Sequence, residues 1–261
     1  MALESLCFQG RSPRQGTLCV IDERWLCHER YIMKIAIMGA MPEEVEPIVE
    51  KLDDMKKTVY AANTYYEGRY HGQEVVVAYS KIGKVFATLT ATILIEKFAC
   101  NTLLFSGVAG AISDKLKIGD LIIADGLCQH DLDITAFGHP YGYVPEGEVC
   151  IPADVNLRNI AKNVAKEKGL ILKEGIIATG DQFIANAERK DWIGNTFNAD
   201  ALEMEGAAVA VVCSSLNVPF FILRAISDSA DMDASFNFDE FLESSAKISA
   251  DFILSMVDEI K

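Results

Sequence analysis

The chain is short of positive charge: 24 Lys and Arg stand against 38 Asp and Glu, for a formal net charge of −14. A nucleic-acid groove needs a basic surface facing the phosphates, so this balance argues against such a partner. Although 50% of the residues are hydrophobic, no apolar run reaches the roughly 18 residues that cross a bilayer. The seven Cys form no CxxC pair, and Cys100, Cys128, Cys150 and Cys213 are scattered in apolar or mixed surroundings. They read as reduced thiols of a cytoplasmic protein. Four His (His28, His71, His130, His139) show no HExxH or other close spacing, so no metal is expected. GxGxxG and GxxxxGK[ST] are both missing, and Gly107-Val108-Ala109-Gly110 is too short a glycine signal for a dinucleotide or P-loop site. No cofactor is expected. What remains is a protein that handles a small molecule, which a few local Arg or Lys could hold even if it were anionic.

At 261 residues the chain can bury a large core as one domain. Residues 1–32 differ from the rest: they carry Cys7, Cys19, Cys27 and Trp25 without sustained periodicity or a signal-peptide pattern. Met33 directly precedes the apolar Lys34–Met38, so Met33 is expected to be the functional start, residues 1–32 a non-native or upstream leader, and 33–261 the folded domain. Pro42 suits the first turn of a helix, where Glu43, Glu44 and Glu46 meet the favourable end of the dipole. Alternation from Ala61 to Tyr79 around Gly68 and Gly72 predicts antiparallel strands. Lys84–Phe98 has helical spacing, as do Asn156–Lys168, Glu205–Leu216 and Phe238–Ile260. Short apolar strands are predicted at Thr102–Phe105, Leu121–Ala124, Glu174–Thr179 and Phe220–Leu223, with a loop over His130–Pro145. Strands and helices alternate without a linker or repeat. The expected fold is a single three-layer α/β domain, a central mixed sheet flanked by helices.

Chemistry in such sheets collects beyond the carboxyl ends of the strands. Phe220–Leu223 empties into Arg224, Ser227 and Asp228; other strands run into Gly39–Glu44, Ser106–Gly110 and Thr179–Phe183. Glu203 and Glu205 enter an otherwise apolar helix, where a carboxylate needs partners or a task. Each feature also has a plain structural reading. Ser227-Asp228 could be a turn, Glu203 and Glu205 helix-dipole charges, and Met41, Phe183 and Phe238 core packing.

The stretches MKIAIMGAMPEEV, YSKIGKV, SGVAG, HDLDITAFG, ATGDQFI, LEMEGAAVA, VPFFILRAISDSAD and FDEFL occur in order from Met33 nearly to the C-terminus. Together they resemble the 5′-methylthioadenosine/S-adenosylhomocysteine nucleosidases of the nucleoside phosphorylase-like group. SGVAG with GDQF is similar to the branch that also cleaves 6-amino-6-deoxyfutalosine in menaquinone synthesis. The resemblance implies hydrolysis of the bond between adenine and a 5′-substituted ribose, without cofactor, as in methionine salvage. Asp228 would then protonate adenine N7 with Ser227 holding it, Glu44 would activate water, and Glu205 would bind the ribose hydroxyls. Met204 would pack under the ribose, and Arg224 would order the carboxylates near the water. Phe183 would stack on adenine while the Ile184 backbone reads its edge, and Met41 and Phe238 would line the 5′ pocket. Phe137 and Pro145 would close that pocket from a second subunit, which implies a homodimer. Val108 stands where many members carry Ser, so the resemblance implies an altered pocket there, and Ile134 gives only an apolar wall. Two rivals stay open: a nucleoside phosphorylase that uses phosphate in place of water, and a non-catalytic nucleoside-binding protein. A water-activating Glu44 has no role in the first, and the second has no need to keep Glu44, Glu205 and Asp228 together.

Overall fold

The computed structural model describes residues 33–229 and 234–260, and of residues 234–240 it describes the backbone only. Residues 1–32, expected to be a leader, and the Phe238 side chain therefore lie outside the described residues. Ten strands build one mixed sheet: β1 (Lys34–Gly39), β2 (Asp53–Tyr60), β3 (Asn63–Tyr70), β4 (Gln73–Tyr79), β5 (Thr102–Ala111), β6 (Leu121–Gln129), β7 (Cys150–Pro152), β8 (Leu172–Thr179), β9 (Ala199–Glu203) and β10 (Phe220–Asp228). Six described α-helices accompany it: α1 (Pro42–Val49), α2 (Lys84–Glu96), α3 (Val155–Lys168), α4 (Ala187–Phe197), α5 (Gly206–Ser215) and α6 (Ala234–Glu259). Not one of them is long and apolar enough to cross a membrane.

The apolar runs are continuous because both faces of the central strands are covered. In β10, Phe220, Ile222 and Ile226 join one core, and Phe221, Leu223 and Ala225 join the other. β1 divides in the same way, with Ala36 and Met38 facing one side and Ile35 and Ile37 the other. Period-two alternation thus places α2 and α5 on one face and α1, α3 and α6 on the other. The helix α4 packs on β8 and β9 around Ile193 and Phe197.

β10 pairs with β5 in parallel and with β6 antiparallel, while β6–β8–β9–β5 are also joined in turn. The five strands therefore close into a ring, from which β1, β4, β3 and β2 extend. Several expected boundaries move as a result. Ser106–Gly110 is not a loop but part of β5, which runs buried to Ala111. β10 likewise continues to Asp228, with a register irregularity between Ile226 and Asp228 against β5. Such a bulge re-aims side chains at a sheet end. Gly68, expected at a turn, lies inside β3. β2, β7, β9 and α4 had no counterpart in the sequence reading. β2 is exposed along nearly its whole length and so carries no burial pattern.

Phe221 sits fully buried at the centre of the α1–α3–α6 face. Phe221→Ala is expected to cost about 3–5 kcal/mol by transfer and cavity terms together. Chemical denaturation checks this, and a loss below about 1 kcal/mol would mean that this face is not the packed layer described.

Candidate active site

The ends of β1, β5, β9 and β10 meet at a cavity of about 160 Å³. Its lining includes Met41, Glu44, Val108, Phe183, Ile184, Met204, Glu205, Ser227 and Asp228. Three acidic residues that are far apart in the chain thus converge on one space, together with Glu203.

Glu44 is carried there by the first turn of α1, with its carboxylate turned back on the strand ends. Oε2 accepts the backbone N–H groups of Ala40 at 2.5 Å and Met41 at 3.0 Å, and Oε1 accepts that of Val108 at 3.2 Å. The close approach depends on Gly107, where a Cβ would stand 2.8 Å from Glu44 Oε1. Burial pushes the Glu44 carboxyl above its usual range, against the Arg224 charge and the three N–H donors.

Glu203 ends β9 and Glu205 is the N-cap of α5. Glu203 therefore precedes the apolar helix and Glu205 caps it, one residue before the helix proper. Glu203 Oε2 accepts Arg224 Nη2 at 2.7 Å, Gly206 N at 2.7 Å and Glu205 N at 3.1 Å, while Oε1 accepts the Thr179 hydroxyl. Thr179 Oγ1 in turn accepts Ala207 N at 2.8 Å. Consecutive N–H groups at the start of α5, which would otherwise lack partners, are satisfied this way. Arg224 also donates to the Phe105 and Leu223 carbonyls and lies 4.1 Å from the Phe105 ring centroid. Its side chain is 1% exposed. Arg224 therefore stands behind the cavity wall, bound to Glu203. The sequence alone assigns Glu203 no function; its spacing from Glu205 in Glu-Met-Glu-Gly is the available signal.

Glu205 Oε1 accepts the Gly83 N–H at 2.8 Å. Burial first, and then the Glu203 charge, push its carboxyl up to about 8; Gly83 and Arg224 pull down and Glu44 adds to the rise. Ser227 Oγ–H donates to Asp228 Oδ2 at 2.9 Å. Phe183 and Ile184 both line the cavity, the first 50% exposed and the second buried. Phe137 is 80% exposed, and Pro145 lines a different cavity with Glu148 and Val211, so the fold of this chain does not bring either to the site.

The phosphorylase superfamily model matches residues 34–258. The chain belongs to this superfamily. The aminodeoxyfutalosine nucleosidase of Campylobacter jejuni is 56% identical over 229 residues, covering 88% of this chain and 100% of that protein. A 5′-methylthioadenosine/S-adenosylhomocysteine nucleosidase of Geobacillus sp. is 40% identical over 231 residues, covering 88% and 100%. Among solved structures, futalosine hydrolase of Helicobacter pylori superposes with a TM-score of 0.86 at 49% identity, covering 88% of this chain and 99% of that one. In this superfamily member, therefore, a nucleoside phosphorylase-like fold carries the carboxylate cluster.

Because Glu205 prefers its proton when folded, its stabilising contribution is complete below the usual 4.5 and is lost as pH rises through about 8. Glu205→Gln has no charge to bury. Its Tm relative to the parent is expected to climb as pH is raised across that window, by about 2–4 °C per kcal/mol of difference. A Tm difference that stays flat with pH would show that this carboxyl is not strained by burial.

Proposed function

We propose that the chain hydrolyses the N-glycosidic bond of 5′-methylthioadenosine, S-adenosylhomocysteine and 6-amino-6-deoxyfutalosine, releasing adenine and the 5′-substituted ribose. The observation that carries this reading is the convergence of Glu44, Glu205 and Asp228 on one cavity. The names of the similar nucleosidases support it.

Adenine leaves poorly until N7 is protonated, the ribose becomes cationic as the bond breaks, and water must attack the opposite face. Inverting glycosidases meet the same demands with two carboxyl groups. Asp228, held by the Ser227 hydroxyl, is the general acid toward N7. Glu44 is the general base for water. Its three backbone donors fix its orientation, and its raised pKa strengthens it as a base. Glu205 accepts the ribose hydroxyls. A developing ribosyl cation opposes the burial that raises its pKa, so its negative charge is most useful in the transition state. Phe183 and Ile184 take the base, Met204 the ribose, and Met41, Val108 and the 5′ substituent share the apolar end. Arg224 orders the acids through Glu203.

Phosphorolysis is less well served by this geometry. The N–H groups of Ala40, Met41 and Val108, which could have cradled a phosphate, are already taken by Glu44. Asp228→Asn and Glu44→Gln are each expected to lower adenine release by about 10²–10⁴-fold while folding normally, and the parent is expected to work without phosphate. Full adenine release by either variant would reassign that residue; a phosphate requirement with ribose 1-phosphate as product would replace hydrolysis with phosphorolysis.

The working unit of this proposal is a cytoplasmic homodimer, with Phe137 and Pro145 of one subunit closing the 5′ pocket of the other. Val85, Phe86 and Leu89 of α2, with Ile82 beside them, expose a run of large apolar side chains next to the site, as interaction surfaces do. Sedimentation should find a dimer, and Phe86→Glu with Leu89→Glu should yield monomers with reduced adenine release. A fully active monomer would end the shared-site reading.

A further inference from the structure

Gly83 supplies the N–H that meets Glu205, and it does so in a conformation that needs explaining. Its φ of 101° is one that L side chains rarely adopt, and a Cβ there would stand 2.9 Å from Asp181 Oδ1. What holds it is the next residue. Lys84 is gripped at both ends: its backbone N–H donates to Asp181 Oδ1 at 2.8 Å, and its ammonium donates to Asp131 Oδ1 at 2.7 Å and Gln129 Oε1 at 3.1 Å. Asp131 Oδ2 then accepts the Asp181 N–H at 2.9 Å. Lys84, Asp131 and Asp181 thus form a closed ring joining the start of α2, the end of β6 and the segment after β8.

We propose that Lys84 is a positioning residue for the hydrolysis, holding the Gly83 N–H on Glu205 and, through Asp181, the adjoining Gln182–Ile184 wall of the cavity. The proposal rests on the reading that Glu205 binds the ribose. The ring is well placed to act this way. Lys84 and Asp131 are only 19% and 16% exposed, so their attraction is less screened than that of a surface pair. Burial pushes the Asp131 carboxyl up, but the bonds from Lys84 and the Asp181 N–H, with the Lys84 charge, outweigh it and leave Asp131 below the usual range. One ring therefore sets the ribose-side donor and the base-side wall together. Neither a lone loop nor α2 by itself could do this.

The test compares the parent with Lys84→Met, which keeps the stem and removes the ammonium, with Asp131→Asn, and with Lys84→Arg. Two quantities are followed against pH: the Gly83 amide shift in ¹⁵N-glycine-labelled protein, which reports Glu205 ionisation, and kcat/KM for 5′-methylthioadenosine. Glu205 is faced by Glu203 from β9, Arg224 from β10, Glu44 from α1 and the Gly83 N–H; only the last is changed by these variants. Losing it removes a contact that lowers the Glu205 pKa. The amide titration and the ascending limb of kcat/KM should therefore both move to higher pH in Lys84→Met and Asp131→Asn. Near neutral pH, kcat/KM should fall by about 10–100-fold, with substantial recovery in Lys84→Arg. A purely structural staple would lower Tm and leave both pH profiles in place, which would overturn the proposal. So would a silent Lys84→Met alongside an inactive Glu205→Gln. An amide titration that moves while kcat/KM does not would uphold the coupling of Lys84 to Glu205 and remove Glu205 from the ribose.

Discussion

The buried pair of Arg224 and Glu203 is the interaction on which the site depends. Removing two charges from water costs several kcal/mol each, and the pair is tolerable only when every remaining donor and acceptor is matched. Here it is matched. Glu203 takes the guanidinium, the Thr179 hydroxyl and two N–H groups at the start of α5, and Arg224 spends its other bonds on the Phe105 and Leu223 carbonyls. The arrangement fastens β5, β8, β9, β10 and α5 at one point. It also leaves a positive charge behind the cavity wall, which lowers the pKa of both Glu44 and Glu205.

Electrostatic tuning follows from that point. Burial raises the pKa of Glu44 and of Glu205, and Arg224 opposes it in both. Glu44 is further stabilised by three backbone donors, whereas Glu205 has Gly83 and lies against Glu203. Two carboxylates in one cavity thus meet different surroundings, the usual means by which a fold assigns different tasks to like groups. The bulge at the end of β10 serves the same purpose mechanically, setting Ser227 and Asp228 at the cavity from a strand otherwise buried on both faces.

Much of this was legible beforehand. Continuous apolar strands alternating with helices give the layered α/β class, polar strand ends point to Glu44 and Asp228, and the run of motifs shared with the nucleosidases adds Glu205. What escaped detection has common causes. β2 is exposed and so shows no hydrophobic period, and α4 is weakly amphipathic. β5 and β10 ran past their expected ends because Gly107, Arg224 and Ser227 look like loop residues until their partners are known. Glu203 was noticed without a role, since its role lies in Arg224 and Thr179, each more than 20 positions away. Lys84 lay unremarked in its motif for the same reason.

The sequence by itself determined which segments could be buried and which acids were available, because periodicity and composition are local properties. Only the tertiary structure decided that β5, β10, β6, β8 and β9 close into a ring and that Glu205 faces Gly83 while Glu203 faces Arg224. Those choices depend on contacts between distant residues. A side chain's charge state and direction are set by neighbours that the order of residues along the chain does not name.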